Sequence, residues 1–273
     1  MNLPRVTVLI PVHNDEKYIA KAIDSAVAQN YSGLMQICVI DDGSKDGSWQ
    51  VVQDLYDTAI EKKDLTESIE SKANFSFSGL ELTSGKYKGV QLTAIKRTYA
   101  GGPSAARNSG IRLTINHTDI YAMLDSDDEF YPDKVRKCVS LITTDPKTIG
   151  AVYADYDTYD VSTCKTIREF KEPYSRRRLI DECIVHSGCV ITKIALEQVI
   201  EDQEYYDESM RTCEDYDLWM RISEKFLILH IPEALTFVRI TDQNSSAVVH
   251  KETWEKNWLR VMEKMQQRQY AIQ

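Results

Sequence analysis

The run Val6 to Val12 (VTVLIPV) is continuously apolar and β-branched rather than alternating, and a strand of that kind has no face to offer water. Helices on both faces of a parallel sheet would cover it. From Glu16 onward, Ile19, Ala22, Ile23, Ala26 and Val27 recur at helical spacing on one stripe, with Asn14 or Asp15 as the cap. Met35 to Ile40 predicts a second strand, and Val51, Val52, Leu55 and Ile60 a second helix. Strand, helix, strand, helix predicts right-handed βαβ units that bind ligands at the carboxyl ends of the strands. The turns at Pro11-Val12-His13-Asn14-Asp15 and Asp41-Asp42-Gly43-Ser44 sit at those ends.

The alternation is then interrupted. Residues 62–72 are charged and predict a helix or loose chain, while Phe75 to Thr83 and Lys86 to Ile95 alternate around Gly79, Gly85 and Gly89 and predict a hairpin. A strand near Gln91 to Arg97 resumes the pattern. Gly101-Gly102-Pro103 opens a helix through about Ile115; its glycines either let backbone approach a ligand or simply start the helix. Farther on, the expected elements are a helix from Asp133 to Ile142 and a strand from Ile149 to Tyr156 with a hairpin partner at Lys165 to Phe170. A strand at His186 to Ile191 leads into a helix from Lys193 to Ile200. An amphipathic helix is entered at Glu214-Asp215, and a last strand from Leu227 to Ile240 is broken at Pro232. Lys251 to Tyr270 predicts a charged terminal helix whose apolar stripe is Trp254, Trp258, Val261, Met262 and Met265, suited to docking on the domain or on a second copy. The expected organisation is one domain over residues 1–240, with an insertion at 61–95 and a helical extension over 241–273.

Tyr121-Ala122-Met123-Leu124 ends abruptly in Asp125-Ser126-Asp127-Asp128-Glu129. Carboxylates this close repel one another, and a fold that gathers them at a strand end usually neutralises them with a cation. In extended chain, residues two apart share a direction, so Asp125 and Asp127 can face one ion, and oxygen ligands suit Mg²⁺ or Mn²⁺. The plain alternative is a solvated acidic turn capping the helix after Pro132, through Asp128 or Asp133. Arg176-Arg177-Arg178 is the densest positive charge in the chain, able to hold a diphosphate or an anionic acceptor, although a solvated surface run explains it too. Likewise, Glu214 and Asp215 suit the first turn of any helix.

Lys plus Arg is 33 against 42 for Asp plus Glu, a net charge of −9 over 273 residues. This argues against a nucleic-acid partner bound through phosphate neutralisation over a broad face. The 6 cysteines contain no CxxC pair and read as reduced, packed thiols. No charged-then-apolar leader opens the chain, and no apolar run is long enough to span a bilayer. The expectation is a cytoplasmic protein, free or peripheral at a membrane.

Taken together, VTVLIPVHNDEKYIAKAIDSAVAQ, VIDDGSKDGS, GGPSAARNSGI, MLDSDDEFYPDKV and EDYDLWMRI resemble the family-2 inverting glycosyltransferases of the GT-A fold. Each block is weak alone; in this order over residues 6–222 they are specific. The resemblance implies a Rossmann-like, mostly parallel α/β sheet flanked by helices. It also implies transfer of a sugar from a nucleotide-diphosphate donor, UDP by family habit, to a carbohydrate, lipid-linked or protein acceptor. It puts Pro11 and His13 at the base, Asp42 with Asp41 on base or ribose donors, and Arg107 and Asn108 along the donor site. Asp125 and Ser126 lie beside the donor, Asp125 and Asp127 at Mn²⁺ or Mg²⁺ with Asp127 the direct ligand, and Asp215 is the catalytic base.

Some departures bear on this resemblance. The 61–95 insertion is longer than the family's usual link and is expected to shape partner contacts or the acceptor side. Arg239 is followed by Ile240-Thr241-Asp242, where many members place a histidine, and His250 is only a distant substitute as a metal ligand. The absence of a membrane segment disfavours a processive polymer synthase with its own channel. Homodimerisation through the terminal helix or the insertion is a further expectation. A nucleotidyltransferase would need a glycine-rich, basic first loop, which residues 11–17 lack. A non-catalytic nucleotide-sugar-binding or scaffolding domain would not need the acids at 125, 127 and 215.

Overall fold

A computed structural model describes residues 3–55, 61–64, 79–242, 244 and 248–270. β1 (Val6–Val12) pairs in parallel with β2 (Met35–Asp41) on one side and β6 (Ile120–Met123) on the other, and β2 pairs in parallel with β5 (Val90–Arg97). Consecutive residues of β1 serve opposite faces. Val8 and Ile10 join Ile19, Ile23 and Ala26 of α1 (Ile19–Val27) in one apolar cluster, while Leu9 joins Ala106 and Ile111 of α3 (Pro103–Thr114) in another. This division is why the run carries no polar alternation. α3 comes close to the sheet at Gly110, where a Cβ would collide with the side chains of Leu9 and Ile40.

Beyond β6 the sheet changes direction. β10 (Val190–Thr192) runs antiparallel to β6 and to β8 (Ile149–Asp160), β11 (Leu227–Ile240) lies parallel to β8, and β7 (Glu129–Phe130) closes the edge antiparallel to β11. β9 (Lys165–Glu169) folds back on β8 as expected. With β3 (Glu61–Asp64) and β4 (Gly79–Tyr87), the order is β3-β4-β5-β2-β1-β6-β10-β8-β11-β7, a sheet flanked by helices that is parallel through its centre, from β5 to β6, and mixed toward its edges. The remaining α-helices among the described residues are α2 (Ser48–Asp54), α4 (Lys134–Ile142), α5 (Arg176–Asp181), α6 (Lys193–Gln198), α7 (Glu214–Ser223) and α8 (Lys251–Tyr270). Among the described residues no helix is long and apolar enough to cross a membrane, and the cysteines are unbridged.

Several local expectations are corrected. α1 starts at Ile19 without a side-chain cap, because Asn14 and Asp15 turn their side chains to Lys45 N–H and Ser126 instead. α2 ends at Asp54, and Ile60 lies outside the described residues. Residues 61–64 are strand, pairing with β4, not helix or loose chain, and residues 65–78 lie outside the described residues. The expected hairpin and the expected third parallel strand share one segment: β4 and β5 form the hairpin, and β5 then continues beside β2. Only Val190–Thr192 of the stretch from His186 is strand, and α6 stops at Gln198. Pro232 lies between Ile231 and Ala234, where the register with β8 shifts; it bulges β11 without ending it. Asp133 precedes α4 without a side-chain cap bond, and Asp128 instead accepts from the Arg239 backbone N–H.

The terminal helix packs on the domain. Val261 and Met265 are buried, and Trp254 and Met262 pack half-buried on the same cluster as Trp219 of α7. Trp258 leaves the expected stripe and is 39% exposed, because Asn257 takes the inward position. The close approach at Gly110 predicts that Gly110→Ala costs about 1–3 kcal/mol through overpacking, read as a fall of several degrees in thermal unfolding; an unchanged melting temperature would contradict this packing.

Candidate active site

The carboxyl ends of β1, β2 and β6 meet the N-termini of α3 and α7 around a cleft of about 670 Å³. Pro11, His13 and Asp42 line it from the first two strand ends, Gly102 and Arg107 from α3, and Asp125, Ser126 and Asp127 from the acidic turn. Thr212 to Asp215 line it at the start of α7, and Asn244, Val249 and Trp254 line it from the C-terminal segment. Side chains 42, 127 and 215, remote in sequence, therefore share one cavity.

Local conformation aims these groups. Leu124 N–H continues the ladder by donating to Leu9 C=O, and Asp128 N–H closes the next turn on Asp125 C=O. The turn is held from β11: the Arg239 backbone N–H donates to Asp128 Oδ1 at 2.9 Å, and its guanidinium donates to Asp127 C=O at 2.6 Å. Cys213, before α7, is left-handed at φ 60°, a strained geometry for a side-chain-bearing residue that occurs often at functional sites. It turns the chain so that Glu214 and Asp215 face the cleft. Gly102 precedes α3 at φ 92°, and a Cβ there would also collide with the Arg211 guanidinium. The positive φ is what calls for glycine there, since the Arg211 guanidinium, at the end of a flexible side chain, can give way.

Arg107 organises the charge. Its guanidinium, 6% exposed, donates at 2.8 Å to Asp125 and at 2.8 Å to Glu214. Burial works against the charge of Asp125, but Arg107, its hydrogen bond and Ser187 outweigh it and hold that carboxyl below the usual range. Among the described residues Asp127 has no such cation. Burial, then the charges of Asp125 and Asp15, push it up to about 7, opposed by the Asn244 amide, which donates at 2.7 Å. Asp215 is likewise pushed up to about 7, by burial and then by Glu214, against the pull of Arg107.

At the other end of the cleft, Asp42 accepts from Arg97 at 2.8 Å and from Gly101 and Gly102 N–H. The His13 ring nitrogen Nδ1 sits 2.9 Å from Asp42 C=O, leaving its ring exposed. Ser126 donates to Asp15.

Two expected donor-site residues lie elsewhere. Asp41, the last residue of β2, is buried and accepts from Ser44 N–H at 2.8 Å, bracing its own turn rather than lining the cleft. Asn108 is buried and fastens α3 to the segment before α7, donating to Tyr206 C=O at 2.7 Å and accepting from Tyr206 N–H at 2.9 Å. Nor do the arginines at 176–178 line the cleft. Arg178 pairs with Glu172 and Glu182, and Arg176 donates to Ser223. Cleft residues the motifs did not single out include Asp15, Ser187, Arg211, Asn244 and Trp254. Only Asp15 lay in a recognisable strand-end turn.

The profile described as Glycosyl transferase family 2 matches residues 7–79 and 81–201. The chain belongs to glycosyl transferase family 2. It is 25% identical over 261 residues to the chondroitin synthase of Escherichia coli, covering 95% of this chain and 32% of that one. To the chondroitin synthase of Pasteurella multocida it is 24% identical over 268 residues, covering 98% and 24%. This glycosyltransferase chain thus spans about a third or less of these curated relatives. Among solved structures it resembles Staphylococcus aureus TarS 1-349 in complex with UDP-GlcNAc, with a TM-score of 0.68 at 16% identity over 96% of this chain and 65% of that one. It also resembles the Pyrobaculum calidifontis mannosyltransferase PcManGT in complex with GDP-Man and Mn²⁺, with a TM-score of 0.57 at 16% identity over 89% and 59%. The shared fold is GT-A.

Among the described residues no group of 3 or more His, Cys, Asp or Glu forms a ready-made metal cage. A hard cation held by one or two carboxylates plus substrate phosphates would need no such cage. Asp125 is already neutralised by Arg107, which leaves Asp127, crowded by like charge and without a cation, as the group a metal would relieve. Removing Arg107 would leave buried Glu214 and half-buried Asp125 without their cation. Arg107→Met is expected to lower stability by about 3–5 kcal/mol in denaturant titration; a loss under about 1 kcal/mol would show that the pairs are effectively solvated.

Proposed function

We propose that this family-2 glycosyltransferase moves a sugar from a nucleotide-diphosphate sugar, UDP-linked, to a hydroxyl acceptor by single displacement with inversion. The observation that carries the reading is the convergence of Asp42, Asp127 and Asp215 on one cleft at the strand ends. The TarS and PcManGT complexes, whose fold this chain shares, hold UDP-GlcNAc and GDP-Man with Mn²⁺, respectively; UDP is preferred by family habit.

The nucleoside end lies against Pro11, the His13 ring and Asp42, whose orientation is fixed by Arg97 and the glycine-rich turn. Asp127 holds Mn²⁺ or Mg²⁺, and such an ion, when bound, offsets the charge that develops on the departing diphosphate. Asp125 stays ionised through Arg107 and, with Ser126, faces the donor. Asn244 occupies the region where a histidine ligand was in question, and it restrains one Asp127 oxygen. Asp215 takes the proton of the attacking acceptor hydroxyl. A carboxyl near its ordinary 3.8 would be a feeble base, whereas one pushed up to about 7 is matched to neutral pH. Attack from the Asp215 side, with departure on the other, inverts the anomeric centre.

A panel of UDP- and GDP-sugars with Mn²⁺ tests the reading; neither donor hydrolysis nor a thermal shift with any member would end it. Asp127→Ala should abolish metal-dependent donor binding in calorimetry, whereas Asp215→Asn should retain binding and lose about 10²–10⁴-fold in transfer; equal donor binding in both would make the Asp127 assignment wrong. Because the base form of Asp215 is lost as pH falls through about 7, kcat/KM measured with saturating Mn²⁺, which keeps Asp127 ionised, should drop tenfold per unit below that value. A profile flat down to pH 5 would exclude the assignment.

A further inference from the structure

The C-terminal helix does more than cover the domain. Trp254, in its first turn, is half-buried and lines the cleft together with Cys213 and Asp215. Among the described cleft residues, the other ring is His13, which stands at the nucleoside end. One helical turn beyond Trp254, Asn257 is buried and its amide donates to Thr212 C=O at 3.1 Å and to Thr212 Oγ1 at 2.9 Å. Residues three apart share a helix face, so the clamp on Thr212 holds Trp254 in the same cleft wall as Cys213 and Asp215.

Further along the same helix, Lys264 pairs with Asp217 of α7 at 3.1 Å and with Asp207 at 3.0 Å. Arg268 pairs with Glu224 at 2.9 Å. These contacts fix the helix that carries Trp254 against the helix that carries Asp215.

We propose that Trp254 is the acceptor platform: a pyranose ring stacks its C–H face on the indole and presents a hydroxyl to Asp215, with Asn257 as the positioning residue. The inference rests on the glycosyltransferase reading and narrows the acceptor from any hydroxyl to a saccharide. A large, rigid aromatic ring offers contact area at little entropic cost, and an amphipathic sugar ring suits such a surface on one face while its hydroxyls meet the cleft acids. An acceptor without a ring, such as water or glycerol, would gain nothing from it.

The test uses the donor sugar that the wild-type chain consumes with Mn²⁺. Transfer to water, to glycerol and to methyl pyranosides and disaccharides with neutral or acidic ends is measured for wild type, Trp254→Leu, Trp254→Phe and Asn257→Ala. The expected result is that Trp254→Leu lowers transfer to pyranosides at least tenfold relative to transfer to water, chiefly through acceptor KM, and that Trp254→Phe restores most of it. Asn257→Ala should fall between them, with circular dichroism reporting folding. A parallel loss toward all acceptors, an unchanged ratio, or no pyranoside accepting from wild type would overturn the proposal. If wild type consumed no donor even into water, the glycosyltransferase reading would itself have failed, a separate outcome that removes the basis of this one.

Discussion

A buried guanidinium between carboxylates from two distant segments makes this cleft possible. Arg107 reaches from α3 to Asp125, at the end of β6, and to Glu214, at the start of α7. Like charges about 4 Å apart repel by roughly 4 kcal/mol at the effective dielectric of a protein surface, comparable with the whole stability of a domain. Without that cation, the acids at 125, 127, 214 and 215 would have to protonate or bind another cation to share a cavity. With it, the neutralisation is uneven. Asp125 is held ionised, while Asp127 and Asp215 remain pushed up, the first at the proposed metal position and the second at the proposed base. One arginine thus separates roles among chemically identical side chains.

Backbone geometry turns that charge pattern into a site. The parallel strands end together, so the turns after β1, β2 and β6 open on one side of the sheet. Arg239 from β11 holds the acidic turn, and α8 fastens α7 from the rear through Asn257, Lys264 and Arg268. The C-terminal segment belongs to this arrangement, since Asn244 touches Asp127 and Trp254 forms part of the wall.

How much of this could be read from the chain alone depended on whether the signal was periodic. The βα alternation was legible because β1 splits its side chains between two apolar layers and α1 repeats at helical spacing. β3 was not, because Glu61-Lys62-Lys63-Asp64 carries no apolar face. At the site, motif blocks identified Asp42, Arg107, Asp125, Asp127 and Asp215, which all reach the cleft. Asp41 and Asn108, carried by the same blocks, do not line it: Asp41 braces its own turn and Asn108 fastens α3 to the segment before α7, partnerships that no block encodes. The partnership of Arg107 with Glu214 spans 107 positions, and the role of Asn244 and Trp254 depends on how the tail returns. Neither has a local signature.

The most direct measurement is anomalous diffraction from crystals of the chain grown with UDP and Mn²⁺. The account predicts a manganese peak within coordination distance of the Asp127 carboxylate and of both phosphates, with the uracil against His13 and Asp42 and with Asp215 facing open cleft beyond the β-phosphate. Manganese bound away from Asp127, or a nucleotide lodged on a face that Asp215 does not share, would contradict it.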